Sequence, residues 1–171
     1  DVNAVVAEEK LDLVVANHNS NKQVVLSGQT SEIERAQKAF KTKKIRATVL
    51  NVAAAFHSKF VADAAAPFYD FLKGFEFGKL NYPVYANTTA DVYPSKVEEA
   101  RKLLGNQLAN QVRFVEIIRK MYADGIRTFV EVGPGAVLTG LIKNILDTNK
   151  CQICKNISYT INCQICNTFI C

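Results

Sequence analysis

The chain has 171 residues, of which 49% are hydrophobic and 22% charged, and its net charge is +5. This profile is typical of a globular protein of about one domain. No apolar stretch approaches the ~18 residues that a membrane span needs, and the basic residues lack the long runs with interleaved aromatics of nucleic-acid-binding surfaces, so we expect neither kind of partner.

The N-terminal third is predicted to be a small α+β unit. Two apolar strands, at 11–16 and 24–26, flank turn-forming residues at 17–21. Ser31 followed by Glu34 forms a capping box that predicts the start of a helix. The apolar residues of one helical face are Ile33, Ala36, Ala39 and Phe40. The basic residues that end this helix, where cations complement the helix dipole, are Lys41, Lys43, Lys44 and Arg46.

The next hundred residues alternate predicted strands and helices. The elements are a strand at 45–56, a helix at 59–73, a strand running into a turn at 82–94, helices at 95–108 and 112–125, a strand at 126–132 and a helix at 136–146. Pro67 is expected to kink its helix or to mark its real start. Ser95 with Glu98 forms a second capping box, and Gly125 ends the penultimate helix. This alternation predicts βα units and a parallel sheet, hence an α/β fold.

His57 is the first candidate functional residue, because it stands where a predicted apolar strand ends. It is either a histidine hydrogen-bonded at a strand end or a general base at the edge of the sheet, where open α/β folds bind ligands. The residues alone leave both interpretations open.

Three further motifs carry less information by themselves. The glycines and proline of 131–135 indicate a tight connection from strand to helix, without the pattern of a dinucleotide-binding or P-loop motif. Gln107 lies in the break between two helices. Asn17 and Asn19 are predicted to be turn formers, and His18 between them a loop residue.

All five cysteines lie in the tail, which repeats the motif CQIC at 151–154 and 163–166. A body without cysteine fits a reducing compartment. Four thiolates suit zinc, but the eight-residue gap between the pairs is short for such a site. A disordered extension is the alternative, and we expect no metal site.

Taken together, five stretches of the chain resemble one family. They are ANHNSNKQVVLSG, AAFHS, PVYANTTADVYP, NQLANQVRF and EVGPGAVLTGL. Their order and spacing resemble the C-terminal half of malonyl-CoA:ACP transacylases and of polyketide synthase acyltransferase domains, over residues 10–147. The resemblance implies part of a ferredoxin-like small subdomain at 1–50 and the C-terminal part of an α/β-hydrolase-like acyltransferase core at 51–147. Residues 148–171 are expected to lie outside the domain.

The resemblance also implies an activity: transfer of a malonyl or related acyl group from coenzyme A, through a serine, to the phosphopantetheine thiol of an acyl carrier protein, with no further cofactor. His57 matches the family's general base. Gln107 matches a glutamine that lines the site, where a backbone carbonyl replaces the usual triad carboxylate. Phe56 matches a position that favours malonyl, and Asn17 and Asn19 match asparagines facing the acyl and pantetheine path.

One departure from the family pattern is serious, because no GxSxG serine motif occurs in the chain. We therefore expect this chain to be a fragment that is inactive on its own. The body without cysteine leads us to expect a cytoplasmic protein. A catalytically inactive module that binds an acidic carrier protein is the alternative.

Overall fold

The computed structural model describes residues 1–146, which form six α-helices, two 3₁₀ helices and two antiparallel strand pairs. In chain order they are α1 (Val2–Glu8), β1 (Leu13–Ser20), β2 (Gln23–Gly28), α2 (Thr30–Thr42), a 3₁₀ helix (Lys59–Ala64), α3 (Ala65–Leu72), β3 (Tyr85–Ala86), β4 (Asp91–Val92), α4 (Val97–Asn106), a second 3₁₀ helix (Gln107–Ala109), α5 (Phe114–Ala123) and α6 (Val137–Leu146). None of these helices is both long and apolar enough to cross a bilayer.

The β1–β2 hairpin confirms the two N-terminal strands, but its turn is shorter than predicted. The register runs from Leu13 opposite Gly28 to Ser20 opposite Gln23, with irregularities on either side of residues 17 and 18. Asn17 and Asn19 therefore lie in β1, and their prediction as turn residues was wrong. The backbone there is engaged on both edges, by β2 and by Val112, and this pairing overrides the local preference of asparagine for turns.

The first hydrophobic cluster joins the hairpin to α1 and α2. Its buried members are Val5, Leu11, Leu13, Ala36 and Phe40. The predicted apolar face of α2 is confirmed, since Ile33 and Ala39 pack against the same cluster. Because the apolar residues of α2 recur every three or four positions, they share one face of the helix, and that face packs on the hairpin.

Three helices end in the same backbone motif, with a residue of positive φ just after the helix. These residues are Lys10, Lys44 and Gly125. After α5, the Ile126 N–H donates to the carbonyl of Met121 (3.0 Å), which satisfies a carbonyl that the helix leaves free. The predicted ends of α2 at the basic cluster and of α5 at Gly125 are confirmed.

The capping box predicted for α2 was wrong. The helix begins at Thr30 with Gln29 as its N-cap, so Ser31 lies inside the first turn and makes no capping bond. The glutamate that accepts a backbone hydrogen bond is Glu32 and not Glu34. Its carboxylate accepts from the Asp12 backbone N–H (2.9 Å), which links α2 to the residue before β1. A tertiary contact thus replaces the local one.

The capping box predicted for α4 was also wrong. The helix begins at Val97 after the N-cap Lys96, with no side-chain capping bond. Glu98 instead accepts hydrogen bonds from the Tyr69 hydroxyl and from Arg101. Its carboxylate ties α4 to α3 and is not available to cap its own helix.

The predicted strands at 45–56 and 126–132 do not form within residues 1–146, and neither does the parallel sheet. A strand needs a neighbour for its N–H and C=O groups, and no other described segment pairs with either stretch. Large apolar side chains there remain exposed, including Val52 at 63% and Val132 at 93%.

The remaining helices pack in two groups. The predicted helix at 59–73 divides into the 3₁₀ helix and α3, with Pro67 in the first turn of α3, where a missing N–H costs little.

Gly105 of α4 approaches α3 so closely that a Cβ would lie 2.9 Å from the Cβ of Tyr69. A second buried cluster joins α5 and α6 and consists of Val115, Ile118, Ile145 and Leu146.

Candidate functional site

His57 is held by two contacts to the 3₁₀ helix Gln107–Ala109. Its backbone N–H donates to the Leu108 carbonyl (2.8 Å), and its ring Nδ1 lies 3.0 Å from the Gln107 carbonyl. The residue has φ of +61°, in the left-handed region that histidine adopts more readily than most side chains. The half-buried imidazole is therefore fixed in both backbone and ring.

The contact with Gln107 determines which ring nitrogen of His57 carries the proton. A carbonyl oxygen can only accept a hydrogen bond, so Nδ1 must be the donor. In the neutral ring Nε2 then bears a free lone pair. This is the protonation state that a general base needs, and the orienting group is a backbone carbonyl in place of a carboxylate.

Ser58 closes the turn that presents His57. The side chain is buried, its Oγ donates to the Ala55 carbonyl (2.5 Å), and the same oxygen accepts from the Phe60 backbone N–H (3.3 Å). It thereby serves as the N-cap of the first 3₁₀ helix. A hydroxyl so engaged is a structural group, and nothing in its geometry favours a nucleophile.

Phe56 lies directly before the base and is anchored from the hairpin. Its carbonyl accepts a hydrogen bond from Ser27 Oγ of β2 (3.3 Å), while the residue as a whole is 48% exposed. An aromatic side chain beside the imidazole is thus available to contact a ligand. No pattern in the sequence indicates that Ser27 contacts this segment.

Gln107 enters the site through its backbone. Its carbonyl contacts the His57 ring, and its side chain makes no hydrogen bond within residues 1–146. The chain after it is fastened to β1, since the Val112 N–H donates to Ala16 O (2.8 Å) and the His18 N–H donates to Val112 O (2.9 Å).

Asn17 and Asn19 lie on β1 beside this fastened segment. Asn17 forms a parallel bridge with Val112 through its backbone. In the described part of the chain, neither asparagine side chain forms a hydrogen bond with His57 or Gln107. His57 and Gln107 are therefore in direct contact. The two asparagines are connected to the site only through the segment that follows Gln107.

The prediction that His18 is a loop residue was wrong. It lies in β1, and its Nδ1 is 3.0 Å from Oε1 of Glu116 in the first turn of α5. The second carboxylate oxygen of Glu116 is buried without a hydrogen-bond partner among the described residues. Burial raises the pKa of Glu116, but its own backbone N–H and the His18 ring outweigh burial, and the net pKa lies below its ordinary value. In the sequence, the feature that could have pointed to Glu116 is its charge between the apolar residues Val115 and Ile117.

The segment 131–135 forms the predicted tight connection to a helix. Gly133 and Gly135 have positive φ, and the carboxylate of Glu131 reaches the start of α6. It accepts hydrogen bonds from the Leu138 N–H (3.1 Å), the Thr139 N–H (2.9 Å) and the Thr139 hydroxyl (2.8 Å). These bonds, with that of the Thr139 N–H first, lower the pKa of Glu131.

Residues 1–146 contain no group of three or more histidine, cysteine, aspartate or glutamate side chains placed to hold a metal ion. The two CQIC motifs, whose four thiolates suit zinc, lie outside the described residues.

Comparison with known proteins places these features in a family context. Residues 3–161 match the family model described as acyl transferase domain. The chain is 40% identical over 133 residues to the polyketide biosynthesis malonyl CoA-acyl carrier protein transacylase BaeC of Bacillus velezensis, which covers 77% of this chain and 45% of that protein.

Two solved structures are similar in fold. One is a malonyl CoA-acyl carrier protein transacylase from Burkholderia pseudomallei, with a TM-score of 0.81 and 33% identity, covering 88% of this chain and 53% of that one. The other is a malonyl-transacylase in complex with a type II PKS acyl-carrier protein, with a TM-score of 0.78 and 33% identity, covering 86% and 48%.

The chain thus spans about half the length of these similar proteins. The similarity in fold confirms the predicted α/β class with its α+β piece at the N-terminal end.

Proposed function

Because the chain belongs to the acyl transferase domain family, we propose that it supplies the general base of an enzyme that moves a malonyl or related acyl group from coenzyme A to the phosphopantetheine thiol of an acyl carrier protein. The observation that carries this proposal is the 3.0 Å contact between His57 Nδ1 and the Gln107 carbonyl. It fixes the tautomer in which Nε2 accepts a proton.

In the first half-reaction, Nε2 of His57 takes the proton of a serine hydroxyl while the serine oxygen attacks the thioester carbonyl. Collapse of the tetrahedral intermediate breaks the C–S bond, and the imidazolium returns the proton to the leaving thiolate of coenzyme A. In the second half-reaction, His57 takes the proton of the pantetheine thiol while the sulfur attacks the acyl-serine ester. Collapse of that intermediate breaks the ester C–O bond, and the imidazolium returns the proton to the serine oxygen. The serine is expected from sequence outside these 171 residues, since the chain has no GxSxG motif.

Phe56 is proposed to shape the acyl pocket, because it precedes the base and about half of the residue is exposed. A hydrophobic wall discriminates one methyl group by about 1–3 kcal/mol. We expect Phe56→Ala to raise the rate with methylmalonyl-CoA relative to malonyl-CoA by at most ~200-fold, measured as a ratio of kcat/KM values. An unchanged ratio of kcat/KM values would show that Phe56 does not line the acyl pocket.

Asn17 and Asn19 are proposed to line the path of the acyl chain and the pantetheine arm, from their place on β1 beside the segment that follows Gln107. The coenzyme A thioester enters as a substrate, so the proposed reaction needs no bound cofactor. The proposal places residues 1–50 in a small subdomain, residues 51–147 in the catalytic core and the whole protein in the cytoplasm.

The decisive experiment measures malonyl transfer by the longer protein that contains this chain and the serine. We expect His57→Asn to lower the transfer rate by ~10²- to 10⁴-fold, the usual contribution of a general base. Asparagine tolerates the left-handed backbone at this position, so the fold is retained.

Lys10→Asn is the matched control, because Lys10 is exposed and has a similar left-handed backbone (φ +50°) away from the site. It should leave the rate unchanged. Transfer by His57→Asn at the unmodified rate would refute the base assignment. No transfer by the unmodified protein, together with binding of the carrier protein, would favour the non-catalytic module.

A further inference from the structure

The contact between His57 and Gln107 depends on where the Gln107 carbonyl lies, and that position is set by its neighbours. Residues 107–109 form a single 3₁₀ turn, which has poorer hydrogen-bond geometry than an α-helix and little stability of its own. All three residues are only partly buried. Apart from the bond between the Leu108 carbonyl and the His57 N–H, the position of the turn therefore depends on the anchors on either side of it.

The anchor on the N-terminal side is the close packing of α4 on α3. Gly105, two residues before Gln107, lies against Tyr69 with no room for a side chain. This contact restrains the start of the turn, whereas its far end depends on other contacts.

On the C-terminal side, the Val112 N–H donates to the Ala16 carbonyl (2.8 Å) and the Arg113 N–H to the Asn87 carbonyl (3.0 Å). The anchor that also involves a side chain is His18, which contacts the same segment twice. Its backbone N–H donates to the Val112 carbonyl (2.9 Å), and its ring Nδ1 lies 3.0 Å from Oε1 of Glu116. The two contacts bracket the passage from the turn into α5. The Glu116 carboxylate accepts, so Nδ1 of His18 is the donor.

The β1–β2 hairpin also holds the opposite side of the site. Ser27 Oγ of β2 donates to the Phe56 carbonyl (3.3 Å), one residue before the base. The hairpin thus fastens both the loop that carries the imidazole and the segment that carries its hydrogen-bond acceptor. A shift of either one relative to the other would break the Nδ1 contact.

We propose that His18 and Glu116 are a positioning pair that holds the Gln107 carbonyl against Nδ1 of His57 and so maintains the base tautomer. The pair touches neither the reacting atoms nor, in this structure, the ring of His57. The inference rests on the proposed function, in which that tautomer is required. It assigns a role to a histidine that the sequence motif leaves without one.

The test reads the tautomer of His57 directly, by long-range ¹H–¹⁵N NMR of the imidazoles in the 171-residue chain. The chain has two histidines, so His57→Asn assigns both ring systems. In the unmodified chain we expect neutral His57 to carry its proton on Nδ1. His18→Phe removes the donor and keeps an aromatic ring, and should shift His57 toward the Nε2–H form that free imidazole prefers in water.

Two variants control this comparison. His18→Gln keeps an N–H donor within reach of Glu116 and should restore the Nδ1–H form. Glu8→Gln weakens the ion pair with Lys43 (2.8 Å), which joins α1 to α2 away from the site, and should leave His57 unchanged. Circular dichroism reports whether each variant is folded. Where His18→Phe does not fold, Glu116→Gln replaces it, with a smaller shift in the same direction because an amide accepts more weakly than a carboxylate.

The outcomes separate the two proposals. An Nδ1–H form that persists in folded His18→Phe and Glu116→Gln would overturn the positioning role and leave the base assignment intact. An Nε2–H form in the unmodified chain would overturn the contact on which both proposals rest.

Discussion

At the scale of the residue, the site depends on backbone conformation as much as on side-chain chemistry. His57 adopts positive φ between an exposed Phe56 and a buried Ser58. Such a conformation persists in a non-glycine residue only when its surroundings determine it. Here the surroundings are the Ser58 hydroxyl and two carbonyls of the neighbouring 3₁₀ turn.

Removing the Ser58 hydroxyl should loosen this turn. We expect Ser58→Ala to lower the free energy of unfolding by about 1 kcal/mol, the usual cost of losing an N-cap with a buried hydrogen bond. The measurement is urea denaturation followed by circular dichroism. Ser31→Ala is the matched control, since Ser31 is exposed and caps nothing. Equal effects of the two substitutions would contradict the structural role of Ser58.

At the scale of the element, the start of α6 is stabilised by a carboxylate that arrives from the preceding connection. The pKa of Glu131 is lowered by its hydrogen bonds, first of all that from the Thr139 N–H. A group with a lowered folded-state pKa stabilises the fold above its unfolded-state pKa, and that contribution is lost as the pH falls through the folded-state value. The start of α6 should therefore loosen in acid, below the ordinary glutamate value of 4.5.

Hydrogen exchange tests this prediction through the protection factors of the Leu138 and Thr139 amides. Protection should fall between pH 6 and pH 3 in the unmodified chain. In Glu131→Gln it should be lower at pH 6 and nearly independent of pH. Glu34→Gln is the control, as the exposed Glu34 carboxylate has no partner among the described residues. Protection that falls equally in Glu131→Gln would assign the acid effect to other groups.

Elements whose determinants are local could be predicted from the sequence. The apolar faces of α2 and α5 follow from spacing, and Gly125 ends α5 because its φ of +95° suits glycine. The two capping boxes failed because each helix has another N-cap: Gln29 in place of Ser31 for α2, and Lys96 in place of Ser95 for α4. Glu98 instead bonds to the Tyr69 hydroxyl of α3. Tertiary contacts of that kind are not encoded within a window of four residues.

The site was predictable to the same degree. His57 and Gln107 were singled out in the sequence, and the structure brings them into contact. His18 and Glu116 could not be paired in advance, because 98 residues separate them and the asparagines around His18 favour a turn. Which groups meet across such a separation is decided by how β1 docks against α5.

At the scale of the whole molecule, two apolar segments are left uncovered by the rest of residues 1–146. The side chains concerned include Val49, Leu50, Val52, Val130 and Val132, all more than half exposed. Contiguous exposed apolar surface promotes association. Both segments are predicted strands. Their apolar side chains are stabilised by burial away from water whether or not a strand forms.

We therefore expect the 171-residue chain to self-associate in sedimentation velocity experiments. Val130→Thr combined with Val132→Thr should reduce association, since these side chains are 79% and 93% exposed. Val97→Thr, which changes an apolar residue at the start of α4 that is 41% exposed, should leave it unchanged. A monodisperse monomer at every concentration would show that the exposed apolar segments do not drive self-association.

The central claim is that His57 takes a proton from a serine that lies beyond these 171 residues. The most direct measurement is the distance between His57 Nε2 and the Oγ of the serine that becomes acylated, in a crystal structure of the longer protein. We predict a separation of ~2.6–3.2 Å, within hydrogen-bond reach, with Nδ1 still on the Gln107 carbonyl. An Nε2 that faces away from the acylated serine, with neither direct contact nor one bridging water, would contradict the claim.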